Sequence, residues 1–138
     1  MAEVVLTATV ADAGLEDRVE VVSSGTGDWH IGNPMDRRAA ATLTAHGYDA
    51  SAHRAQQFHP SWLDECDLVL TMDTANLSDV GSGEDSRVVL FRAFDPGAGV
   101  DRDVPDPYYG DDDGFMHVLG IVRRTSTELV RQLEDLLS

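Results

Sequence analysis

The sequence predicts an α/β fold, a three-layer doubly wound arrangement on a parallel sheet, and three observations lead there. Helix-spaced and strand-like stretches alternate along the 138 residues. Leu68-Val69-Leu70-Thr71 and Val88-Val89-Leu90-Phe91 are short and almost wholly apolar, as strands are when helices cover both faces of a parallel sheet. Clusters of Gly, Pro and Asp punctuate the chain at spacings that suit one compact domain, with no internal repeat. At 42% hydrophobic content the chain can bury a single core of ordinary size, so 1–138 is read as one domain.

Taken in order, residues 2–14 are apolar at a helix-compatible spacing and stop at Gly14. Val19-Glu20-Val21-Val22 then reads as a short β-branched strand. Asn33-Pro34 sets a capping residue ahead of a proline at the first helical position, and a helix is expected from Met35 to His46, ended by Gly47. Trp62 falls in a short helix and reads as core, and Cys66 reads as a buried strand residue. The two apolar strands follow, with a helix between them. Asp111 to Asp113 then place negative charge at the start of a long final helix, Phe115 to Leu137. Its apolar positions Val118, Ile121, Val122, Leu129, Val130, Leu133 and Leu137 fall near one face.

Composition removes several classes of function. A formal net charge of −15 opposes nucleic-acid binding, which depends on basic patches that displace counterions. All ten basic residues are arginine. A single cysteine, Cys66, rules out an internal disulfide framework and a cysteine-rich metal site. No apolar run is long enough for a membrane span, and the first 20 residues lack the pattern of a secretory signal, so no membrane partner and a cytoplasmic location are expected. Asp111-Asp112-Asp113 does not reproduce the alternating oxygens and glycine of a calcium loop. Gly25-Thr26-Gly27 and Gly81-Ser82-Gly83 are too short for a nucleotide-binding glycine loop.

The chemistry concentrates in Asp106-Pro107-Tyr108-Tyr109-Gly110, where a carboxyl sits beside two aromatic rings in a segment rich in turn residues. A carboxylic acid in a partly apolar cleft can hold a proton near neutral pH and deliver it to a departing phenolic oxygen. Tyr108 and Tyr109 would wall that cleft, whereas an isolated Asp-Pro would be no more than a turn starter. Trp29-His30 follows a small-residue turn that would project an indole into a cleft, or else pack it on the sheet edge.

Read together, Ser23-Ser24-Gly25-Thr26-Gly27-Asp28-Trp29-His30, Thr71-Met72-Asp73 and Asp106-Pro107-Tyr108-Tyr109-Gly110 resemble the low-molecular-weight protein tyrosine phosphatases, in order and in approximate spacing over the whole chain. The resemblance implies that Asp106 is the general acid and base, and that Trp29, His30, Tyr108 and Tyr109 line the substrate cleft. It implies that Ser23 and His53 brace the phosphate loop and that Asp73 lies near the same cleft, although a helix N-cap explains Asp73 equally well. Taken alone, His53 would more often be a structural histidine. The implied substrate is a phosphotyrosine protein or an aryl phosphate, and no cofactor or metal is required.

The family's nucleophile sits in an N-terminal Cys-x5-Arg-Ser-Pro loop commonly followed by Met-Ala-Glu, and this chain opens with Met1-Ala2-Glu3. The expectation is therefore an N-terminally truncated domain, inactive as given, whose working enzyme is longer. Cys66 cannot substitute, because Met72 stands where the loop's arginine would be. The family's first strand lies mid-sheet, between those holding Val21 and Val69, so its loss would leave two edges unpaired and open to self-association. A non-catalytic pseudophosphatase or interaction module is the alternative. Arsenate reductase chemistry ranks last, with only one cysteine present.

Overall fold

The computed structural model describes residues 1–24, 37–49, 62, 66–73, 77, 88–99, 102–104 and 112–137. Among them the chain forms helix α1 (Ala2–Asp12), helix α2 (Arg37–Ala45), strand β1 (Val69–Thr71), strand β2 (Val88–Leu90), a 3-10 turn (Phe91–Phe94) and helix α3 (Asp112–Leu137). The expected cap at Asn33-Pro34 and the residues Met35 and Asp36 lie outside the described residues.

The two strands pair in parallel, with Val69 opposite Val88, Leu70 opposite Val89 and Thr71 opposite Leu90. Parallel neighbours need a crossover of a dozen or more residues, which 72–87 supplies. The second strand is shorter than expected at its end: Phe91 is not a strand residue but opens the 3-10 turn, where it is 1% exposed.

Helix α3 organises the core. Its Val118, Leu119, Ile121, Val122, Leu129 and Val130 are buried against Val5, Leu6 and Val10 of α1, Leu43 of α2 and Phe91. Leu133 and Leu137 lie at the margin of that cluster. Burying each such side chain removes water from apolar surface at about 1.5–3 kcal/mol relative to leaving it exposed, which is why the longest helix has two helices and the turn packed against it. Two arginine–aromatic stacks join α2 and the residues just after it to α3: Arg38 lies 5.0 Å from the centroid of Phe115, and Arg123 lies 6.0 Å from that of Tyr48. Two glycines end the first helices as expected, Gly14 at φ 74° and Gly47 at φ 87°, conformations that cost a side-chain-bearing residue more.

Two expectations need correction. Residues 19–22 form no strand: Val19 and Val21 turn inward onto the core while Glu20 and Val22 are exposed, so the two-residue side-chain alternation is present without a hydrogen-bonded ladder. A strand is defined by its partner, and among the described residues none pairs with this stretch. Cys66 is half-buried and lies ahead of β1; its amide donates to the Trp62 carbonyl at 2.9 Å, which places it at the end of a helical turn.

The α-amino group of Met1 is substantially desolvated, and burial lowers its pKa below the ordinary value, opposed by the nearby Glu3 charge. Among the described residues no helix is long and apolar enough to cross a membrane.

Candidate functional site

Because β1 and β2 are parallel, both deliver their carboxyl ends to one edge of the sheet, where doubly wound folds bind their ligands. Thr71 closes β1 as a buried residue whose Oγ1 donates to the Val89 carbonyl at 3.2 Å. One residue on, the Met72 carbonyl accepts the Val104 amide at 2.7 Å, so the segment 102–104 is docked against the end of β1. Asp73 follows, half-buried, and its carbonyl accepts the Leu77 amide at 3.0 Å. That four-residue spacing is the first hydrogen bond of a helix and puts Asp73 in the N-cap position.

Beyond the end of β2 lies a buried carboxylate to which sequence reasoning assigned no role. The Asp95 side chain is fully buried and receives four donors. Its Oδ1 accepts Arg124 Nε at 2.5 Å and the Gly97 amide at 2.8 Å; its Oδ2 accepts Arg124 Nη2 at 2.8 Å and Arg92 Nε at 2.9 Å. A buried charge is tolerable only when paired and hydrogen-bonded, and here both oxygens are saturated. The Arg124 fork foremost, then Arg92 and the Gly97 amide, hold the Asp95 carboxyl far below the usual carboxylate range against the opposing effect of burial.

Arg92 links this carboxylate to the docked segment. Its Nε is held by Asp95 while its Nη1 donates to the Asp103 carbonyl at 3.1 Å. Asp95 therefore ties the end of β2, helix α3 and, through Arg92, the chain entering Val104. Pro105 and Asp106 come next in sequence.

Of the residues singled out from sequence, Ser23 and Asp73 are described, both half-buried, Ser23 directly after Val22 in a stretch that is neither helix nor strand. Asp106, Trp29, His30, Tyr108, Tyr109 and His53 lie outside the described residues. An open cleft of about 480 Å³ is lined by Pro96, Gly120, Arg123, Arg124, Thr127 and Glu128. Neither Ser23 nor Asp73 lines it, and Glu128 there is engaged by Arg131 at 2.6 Å.

Comparison with known proteins bears on the same architecture. The family model described as low molecular weight phosphotyrosine protein phosphatase matches residues 1–137. The low molecular weight protein-tyrosine-phosphatase of Streptomyces coelicolor is 43% identical, over 98% of this chain and 85% of its own length. Low molecular weight protein-tyrosine phosphatase A of Mycobacterium tuberculosis is 42% identical, over 88% of this chain and 76% of its own. Among solved structures, YfkJ from Bacillus subtilis superposes with a TM-score of 0.90 at 26% identity, covering 99% of this chain and 87% of that one. The protein tyrosine phosphatase from Entamoeba histolytica also reaches 0.90, covering 99% of this chain and 89% of that one; at 23% identity it speaks for the fold alone. Both likenesses bear out the doubly wound α/β class.

Proposed function

Since this chain belongs to the low-molecular-weight phosphotyrosine protein phosphatase family, we propose that it hydrolyses phosphotyrosine in proteins, and aryl phosphates generally, with Asp106 as the general acid and base. The supporting observation is the docking of Val104 on Met72. It anchors the chain at the ligand-binding edge of the sheet just before Asp106, and two residues of chain reach no more than about 7 Å.

The reaction runs in two steps. A cysteine thiolate attacks phosphorus, the bond from phosphorus to the aryl oxygen breaks, and Asp106 gives its proton to the leaving phenolate. Water then attacks the cysteinyl-phosphate, the bond from phosphorus to sulfur breaks, and Asp106 takes the proton from that water, releasing inorganic phosphate and the thiolate. Trp29, His30, Tyr108 and Tyr109 wall the cleft, and Ser23, His53 and Asp73 brace it. The N-cap geometry of Asp73 fits a bracing role better than contact with substrate.

The nucleophile is not among these 138 residues, whose one cysteine is followed six positions later by Met72. The 138-residue chain alone is therefore inactive in this reading, and turnover requires a Cys-x5-Arg loop joined ahead of Met1. One feature fits: the strand-like stretch at 19–22 pairs with no strand among the described residues. The test is p-nitrophenyl phosphate hydrolysis by the 138-residue chain and by the same chain carrying the loop of a relative. Turnover in the second only is expected. Turnover by the first would refute the assignment of the nucleophile, and turnover by neither would favour a non-catalytic binding module. In the active form, Asp106→Asn lowers kcat on aryl phosphates by at least about tenfold.

A further inference from the structure

Proton delivery to a leaving group depends on placement, since a catalytic group displaced by about 1 Å can lose on the order of a hundredfold in rate. The segment leading to Asp106 is held at two points, the Val104 amide on the Met72 carbonyl and the Asp103 carbonyl on Arg92 Nη1. The first hold comes from the sheet. The second comes from a guanidinium that is itself immobilised, because Asp95 takes its Nε at 2.9 Å and is in turn gripped by Arg124 of α3 at 2.5 and 2.8 Å. The side chains of Arg92 and Asp95 are 15% and 0% exposed, so the link between them is largely shielded from competing water, whereas that of Arg124 is 43% exposed.

We propose that Arg92 is a positioning residue for the acid step: it registers the segment before Asp106 against α3 and the carboxyl end of β1. The inference rests on the reading of Asp106 as the proton donor. An arginine suits the task, because its planar fork can face a carboxylate with one nitrogen and a carbonyl with another. A lysine ammonium could keep the pair with Asp95 but would not span both acceptors in the same geometry.

The test uses the active, loop-bearing protein and compares kcat/KM on phenyl phosphate, whose leaving group needs a proton, with kcat/KM on 2,4-dinitrophenyl phosphate, whose leaving group departs without one. Arg92→Met is expected to lower kcat/KM at least about tenfold on phenyl phosphate and less than about twofold on the dinitrophenyl ester. A merely structural loss would lower both alike, and equal losses or no loss would overturn the proposal. Should Arg92→Met fail to fold, Arg92→Lys decides by the same criterion, with a selective loss of at least about threefold expected. Asp106→Asn is the control. If it shows the leaving-group-selective loss and the Arg92 variants do not, only the positioning role falls. If Asp106→Asn shows none, the assignment of the acid fails and the role of Arg92 fails with it.

Discussion

The guanidinium of Arg124 lies directly over Gly97: a methyl group built there would sit 2.8 Å from Arg124 Nε and 2.9 Å from its Cζ. Gly97 also donates its amide to Asp95, so backbone and side chain meet at one carboxylate oxygen. Its lack of a side chain is a requirement of the ion pair above it.

Gly97→Ala is therefore expected to push Arg124 off Asp95 and to cost about 1–3 kcal/mol in unfolding free energy, the typical range for overpacking. Urea unfolding of Gly97→Ala, Arg124→Gln and the double variant would measure it. The cost should largely vanish in the Arg124→Gln background; additive effects would mean that the two residues do not act through each other.

Asp95 predicts a pH dependence whose sign follows from its depressed pKa. The folded state holds the carboxylate well below its unfolded value near 3.9, so the stabilisation is complete above that value and is lost as pH falls through the folded pKa. Asp95→Asn keeps the shape and removes the charge. Its destabilisation, about 2–4 kcal/mol for breaking a buried pair, should be constant from pH 5 to 8 and shrink below about pH 4. A gap that stays constant to pH 2 would refute the shift.

Ser126 on α3 is fully buried, and its Oγ has no hydrogen-bond partner among the described residues, whereas the neighbouring Thr125 donates to the Ile121 carbonyl at 2.7 Å. An unsatisfied buried hydroxyl contributes a desolvation penalty and no bond. Ser126→Ala should be neutral or stabilising by up to about 1 kcal/mol, helped by the better helix propensity of alanine. A loss of more than about 1 kcal/mol in chemical denaturation would contradict that reading.

Elements governed by local pattern were legible in sequence. Helix α3 declares itself through Val118, Ile121, Val122, Leu129 and Val130 at helical spacing, and all five are buried. Gly14 and Gly47 end their helices because the required φ is positive. The strands were legible as continuous apolar runs, though Phe91 shows that an apolar run does not announce its last residue. What depends on a distant partner was not legible. Phe94-Asp95-Pro96-Gly97 reads as an ordinary turn, and the residue that makes Asp95 a buried junction lies 29 positions away. The stretch 19–22 shows the same limit from the other side, since valine alternation encodes a face and cannot supply a ladder. Asp73 could be read as cleft residue or helix cap, and its carbonyl hydrogen bond to Leu77 favours the cap.

The grip of Asp95 on Arg92 has a practical consequence for chemical labelling. Residues 1–138 hold ten arginines and no lysine, so a guanidinium-selective dicarbonyl reagent addresses side chains in this stretch where an amine-reactive ester finds none. Arg92, 15% exposed at its side chain and held by Asp95 at 2.9 Å, should be modified slowly in the folded chain and quickly in the unfolded one. Its rate of mass increment becomes a reporter of opening beyond the end of β2.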